Sequence, residues 1–115
     1  MNVKIYHNPR CSKSRQTLDL LKEKNLEIDI IDYLNNPLSK DEIIDIIDML
    51  DIAPQSLLRK GEEEYKELVS KEGKPNSSMT IDWIHRVPKL MERPIVVNGN
   101  KAKIGRPPED VLEIL

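Results

Sequence analysis

The sequence predicts an α/β fold: a four-stranded mixed sheet with flanking helices. Two patterns carry this prediction. The chain opens β-α-β, with an isoleucine-rich second strand, and closes β-β-α, with an Asn-Gly turn joining its last two strands. Between them lies an irregular helical stretch, read as an insertion at about 39–91 within a single domain spanning 1–115.

Val3-Lys4-Ile5-Tyr6 reads as the first strand. From Ser14 onward the period turns helical, with Leu18, Leu20 and Leu21 on the apolar side and an end near Asn25. Ile28-Asp29-Ile30-Ile31-Asp32 is the second strand, and its near-continuous isoleucines predict a parallel strand buried on both faces. The crossover between the two should be right-handed. Ser39-Lys40-Asp41-Glu42 is a capping box, and Ile43, Ile44, Ile47 and Leu50 form the stripe of the helix it starts.

Short helical pieces are expected around Ser56-Leu57-Leu58, around Tyr65, Leu68 and Val69, and from Met79 to Arg86. Gly73-Lys74-Pro75-Asn76 interrupts them. Ile95-Val96-Val97 and Lys101-Ala102-Lys103-Ile104 flank Asn98-Gly99-Asn100, a hairpin signal, because Asn-Gly tolerates positive φ. Pro107 and Pro108 open a last helix whose buried side is Val111, Leu112 and Leu115.

Composition narrows the function. The chain has 115 residues, 33% charged and 38% hydrophobic, enough for one modest core. A formal charge of −2 argues against a nucleic-acid binder that relies on overall charge. No segment is apolar for long enough to span a bilayer, and no signal-peptide pattern opens the sequence, so the expected location is cytoplasmic. A single cysteine rules out an internal disulfide and any zinc site of several cysteines, and His7 and His85 lack a usual ligand spacing. No metal, flavin or nicotinamide motif is evident, so no tightly bound cofactor is expected.

That cysteine, Cys11, lies between the first strand and the first helix, amid Arg10, Lys13 and Arg15. A helix start is rich in unpaired N–H groups and favours negative charge, so it lowers a thiol pKa, and neighbouring cations add to the effect. A free cysteine is commonly just a small buried hydrophobe. The charged setting favours a nucleophile instead. His7 is placed to orient or deprotonate it, although a histidine ending a strand is often only a satisfied polar residue. Ser12 and Ser14 offer hydroxyls, and Ser14 is placed to donate one to the thiolate. Arg59, Arg93 and Arg106 stand out by context, two of them preceding proline. Guanidinium groups bind tetrahedral oxyanions through paired donors. The commoner fate of any arginine is a solvated surface. Glu62-Glu63-Glu64 reads as a solvated face.

Four blocks, "YHNPRCSKSRQTLDLL", "LLRKGEEEYKEL", "ERPIVV" and "GRPPEDVLEIL", resemble the successive signatures of the glutaredoxin-type arsenate reductase family, ArsC. They occur in family order and span nearly the whole chain. The resemblance implies a thioredoxin-like (glutaredoxin-like) fold with an inserted helical region. It makes Cys11 the nucleophile, His7 the polar residue beside it, and Arg59, Arg93 and Arg106 the oxyanion-binding arginines. Pro94 falls where thioredoxin-like folds carry a cis-proline. The implied reaction is arsenate to arsenite, with glutathione as thiol co-substrate and glutaredoxin as the recycling protein. Ser12 and Lys13 depart from the small residues usual after the family's cysteine. The Spx-like regulators, a related branch, bind RNA polymerase and carry a redox CxxC. Ser14 replaces its second cysteine here, which removes that switch. A regulatory binding protein, or a thiol oxidoreductase with another substrate, are the alternatives.

Overall fold

Alternation begins the chain. Val3 and Ile5 are buried and Lys4 is exposed in β1 (Asn2–Tyr6), the opening strand of a computed structural model that describes residues 2–115. The first helix, α1 (Ser12–Glu23), starts two residues before the Ser14 expected from the sequence, because Cys11 takes an extended backbone and serves as the N-cap. Ser14, Thr17, Leu18 and Leu21 are its buried side, a spacing of three, one and three that defines a single helical face.

The sheet order is β2-β1-β3-β4. β2 (Glu27–Ile31) pairs parallel with β1, β3 (Ile95–Asn98) pairs antiparallel with β1, and β4 (Lys101–Ile104) pairs antiparallel with β3. The sheet is therefore four-stranded and mixed, as predicted. Burial of β2 on both faces is not observed: it is an edge strand, and Ile30 is 49% exposed. Isoleucine runs reflect β propensity as well as burial, and only strand order decides which applies. In the hairpin, Asn98 faces Lys101 across a two-residue loop, and Gly99 supplies the positive φ (65°) at its first position.

The final segment, Pro108–Ile114, winds as 3₁₀ turns. A period of three places Pro108, Val111 and Ile114 on one face, and the first two are buried. Leu112, expected inside, is displaced outward and is 39% exposed. The core under the sheet is Val3, Ile5, Leu18, Leu21, Val96 and Val111, with Leu26, Ile28, Ile114 and Leu115 packed against it. Full burial of each large aliphatic side chain stabilises by about 1.5–3 kcal/mol.

These elements belong to one unit, which runs to Asn36 and resumes over Arg93–Leu115. The second unit is Pro37–Glu92. In it the capping box forms as read: Glu42 N–H donates to Ser39 Oγ at 3.1 Å and Ser39 N–H to Glu42 Oε1 at 3.2 Å. It starts α2 (Lys40–Leu50), whose buried positions are Ile43, Ile46 and Ile47, while Ile44 faces outward at 40% exposure. Pro54–Leu57 is a 3₁₀ turn, α3 spans Glu63–Glu72, and α4 spans Ser77–Arg86. Asn76 caps α4 by accepting Met79 N–H at 2.8 Å. α4 packs against α2.

Candidate active site

The first unit gathers Cys11, His7, Ser14, Arg93 and Arg106 at one end of its sheet. Residues 8–11 form a tight turn, closed by Cys11 N–H donating to Asn8 O at 3.0 Å. Arg10 N–H donates to Asn8 Oδ1 at 3.0 Å, and Arg15 Nη1 donates to Pro9 O at 2.9 Å. The turn delivers Cys11 to the N-cap of α1, where serine, threonine and aspartate are the usual occupants because an oxygen there can accept helix N–H bonds. A thiolate at this position can take the same role.

Burial pushes the Cys11 thiol pKa up, but the Ser14 N–H, the Arg93 side chain and the Lys13 N–H outweigh it, so the thiol lies below its ordinary value. Cys11 makes no full side-chain capping bond, so these groups act as donors arrayed around the sulfur. Arg106 completes the set: its Nη2 donates to Cys11 Sγ at 3.6 Å, and its Nε donates to Arg93 O at 2.8 Å. Arg106 is thereby tied to the residue that carries the other guanidinium. The Arg93–Pro94 and Arg106–Pro107 bonds are both cis.

Ser14 and His7 are arranged differently from the sequence expectation. Ser14 is fully buried, and its Oγ lies 2.6 Å from His7 Nδ1 and accepts Asn8 N–H at 3.0 Å. The Ser14 group that lowers the thiol pKa is its backbone N–H. His7 has a lowered pKa, first through burial and then through Lys22 and Arg15, with Asp32 opposing. A buried neutral imidazole bonded to Ser14 braces the turn behind the cysteine.

Arg59 belongs to the second unit. Its Nε donates to Glu62 Oε1 at 3.2 Å, and its Nη1 lies 3.7 Å from Glu92 Oε1. Its backbone N–H donates to Leu90 O at 2.7 Å, while Glu92 N–H donates to Leu57 O at 2.8 Å, so two short segments hold the ion pair between them. Lys89 Nζ reaches Glu62 at 3.7 Å and Glu64 at 2.9 Å. The acidic run is therefore part of an ion-pair network as well as a solvated face. The i, i+3 spacing of Arg59 and Glu62 was the signal available in the sequence. Asn8 went unnoticed there too, although asparagine before proline is a turn signal.

The family model described as ArsC family matches residues 6–114. The chain belongs to the ArsC family. Among ArsC relatives, a protein named arsenate reductase from Haemophilus influenzae is 46% identical over 116 residues, covering 100% of each chain. Another, from Escherichia coli, is 42% identical over 99% of this chain and 81% of its own length. YfgD of Escherichia coli K12, described as an uncharacterized protein, is 48% identical over 98% of this chain and 96% of that protein. Among solved structures, an arsenate reductase from Vibrio cholerae superposes with a TM-score of 0.94 at 42% identity, covering 100% of this chain and 98% of that one. The ArsC match and the four-stranded sheet establish the thioredoxin-like fold of the chain.

Proposed function

We propose that this ArsC protein reduces arsenate to arsenite with Cys11 as nucleophile. The observation that carries this reading is the convergence of helix N–H groups and two guanidinium groups on one sulfur. Such donors stabilise a thiolate and a bound oxyanion at once, which lets two anions meet. Relatives named arsenate reductase, at 42% and 46% identity over nearly the whole chain, support arsenate as the oxyanion.

The Cys11 thiolate attacks arsenic and displaces one oxygen, which leaves as water after protonation. An outside thiol must supply the second sulfur, because Cys11 is the chain's only cysteine. Glutathione is assigned that role: two thiols become one disulfide, As(V) becomes As(III), and one oxygen departs as water. The product on the protein is a Cys11–glutathione mixed disulfide. Glutaredoxin then removes the glutathione by thiol–disulfide exchange. Arg93 and Arg106 hold the arsenate oxygens. The reducing thiol pool this cycle needs is cytoplasmic. Among the described residues, no helix is long and apolar enough to cross a membrane.

The test is arsenite formation from arsenate with glutathione and glutaredoxin, beside a Cys11→Ser control. Wild-type turnover and a silent control are expected. Equal rates in the two proteins would remove the reading.

A further inference from the structure

Gly105 separates β4 from Arg106 and is buried. Its N–H donates to Pro94 O at 2.9 Å, which joins the residue before Arg106 to the residue after Arg93. A Cβ built on Gly105 would lie 2.5 Å from Thr17 Oγ1, 2.8 Å from Pro94 Cγ and 3.3 Å from Thr17 Cγ2. The first two approaches are closer than real Cβ atoms come, so something would have to shift.

Neither neighbour yields easily. Pro94 presents a ring. Thr17 is fully buried and β-branched, and its Oγ1 donates to Lys13 O at 2.8 Å, which fixes its rotamer. Thr17 stands one turn after Lys13 and Ser14, whose N–H groups face the Cys11 sulfur. Gly105 thus touches, on one side, the helix that carries the sulfur's amide donors. On the other side it touches the backbone that carries both arginines. A side chain here would push the two apart.

We propose that Gly105 is a positioning residue, whose missing side chain sets the distance between the Arg93–Arg106 pair and the Cys11 sulfur at the start of α1. The proposal rests on the reading of Cys11 as a thiolate nucleophile. It deepens that reading by naming the contact that holds sulfur and guanidinium groups together. Thr17 is the other half of the contact.

The experiment uses the full chain and two readouts that need no arsenate turnover. One is the pH midpoint of Cys11 alkylation. The other is the ratio of alkylation rates by iodoacetate, an anion drawn by nearby guanidinium groups, and by neutral iodoacetamide. Gly105→Ala should raise the midpoint by roughly one unit, a fraction of the lowering that charged surroundings give a thiol. It should also lower the iodoacetate preference severalfold. Thr17→Ala removes two of the three close approaches, so it should leave both readouts near wild type alone and move them part of the way back in the double variant.

A folded Gly105→Ala protein with wild-type midpoint and ratio would overturn the proposal. So would a shift that Thr17→Ala fails to reduce. If Gly105→Ala does not fold, the double variant carries the comparison, because Pro94 Cγ still crowds the new Cβ. A midpoint above that of Thr17→Ala then supports the proposal, and an equal midpoint overturns it. Loss of fold in both Gly105 variants would make Gly105 a folding residue and overturn the assignment. A wild-type Cys11 that titrates as an ordinary thiol would instead be a failure of the nucleophile reading beneath it.

Discussion

Arg106 and Arg59 carry the same guanidinium in different company. Arg106 has one nitrogen on a backbone carbonyl and another on the Cys11 sulfur. Arg59 has carboxylates of Glu62 and Glu92 against its nitrogens. A guanidinium beside a sulfur adds its charge to whatever that sulfur binds. A guanidinium between two carboxylates has its charge largely matched already, and an incoming anion must compete for it. Residue type says what an arginine can bind, and its neighbours say what it costs to bind there.

The largest contrast should come from lysine substitution, which keeps the charge and loses the planar fork. Arg106→Lys should lower arsenate kcat/KM on the order of 10²-fold, the scale of losing one oxyanion donor. Steady-state kinetics on folded protein would measure it, and unchanged kinetics would remove Arg106 from the anion site.

Arg59→Lys should loosen the ion pairs with Glu62 and Glu92 and lower thermal stability by about 1 kcal/mol. Glu92→Gln should destabilise in the same direction, because it takes away one of the two carboxylates beside Arg59. Thermal unfolding would measure both, and unchanged midpoints in both variants would show that these ion pairs add nothing to the fold.

The smallest expected effect concerns the brace behind the cysteine. His7 is held below its ordinary pKa in the folded chain, first by burial. The unfolded chain therefore binds a proton near pH 6.5 that the folded chain still refuses. Stability from this group is fully present above about pH 6.5 and is lost as pH falls from there through the lowered folded value. Thermal unfolding across pH 7.5 to 5.5 should show this decline in the wild type, and His7→Asn should flatten it. Equal slopes would show that His7 does not stay neutral in the fold.

How much of this was legible depended on how local each cause is. The capping box at Ser39 and Glu42 and the turn at Gly99 are set within a few residues, and both formed as read. The place of Cys11 between the first strand and the first helix followed from the sequence, but its N-cap position did not, because the helix starts at Ser12 and not at Ser14. The edge place of β2 depends on which strands flank β1, and nothing in Ile28-Asp29-Ile30-Ile31 records that. The 3₁₀ winding at Pro108–Ile114 changes the period from which the buried face is counted, and this moved Leu112 outward. Gly105 was unreadable for a different reason. Its contribution is an absent atom, and the Thr17 it would strike is distant along the chain. The partner of Ser14 Oγ was equally hidden, since a serine near a cysteine does not reveal that it is turned toward His7.

The start of α1 and two arginines lower the Cys11 thiol pKa and so favour its thiolate. The most direct test is the pH dependence of Cys11 alkylation in the wild-type protein, for which the single cysteine gives an unambiguous signal. The account predicts one titration with a midpoint clearly below the free-thiol value of about 8.5, moving upward in Arg106→Lys. A midpoint at or above that value, unchanged in Arg106→Lys, would contradict it.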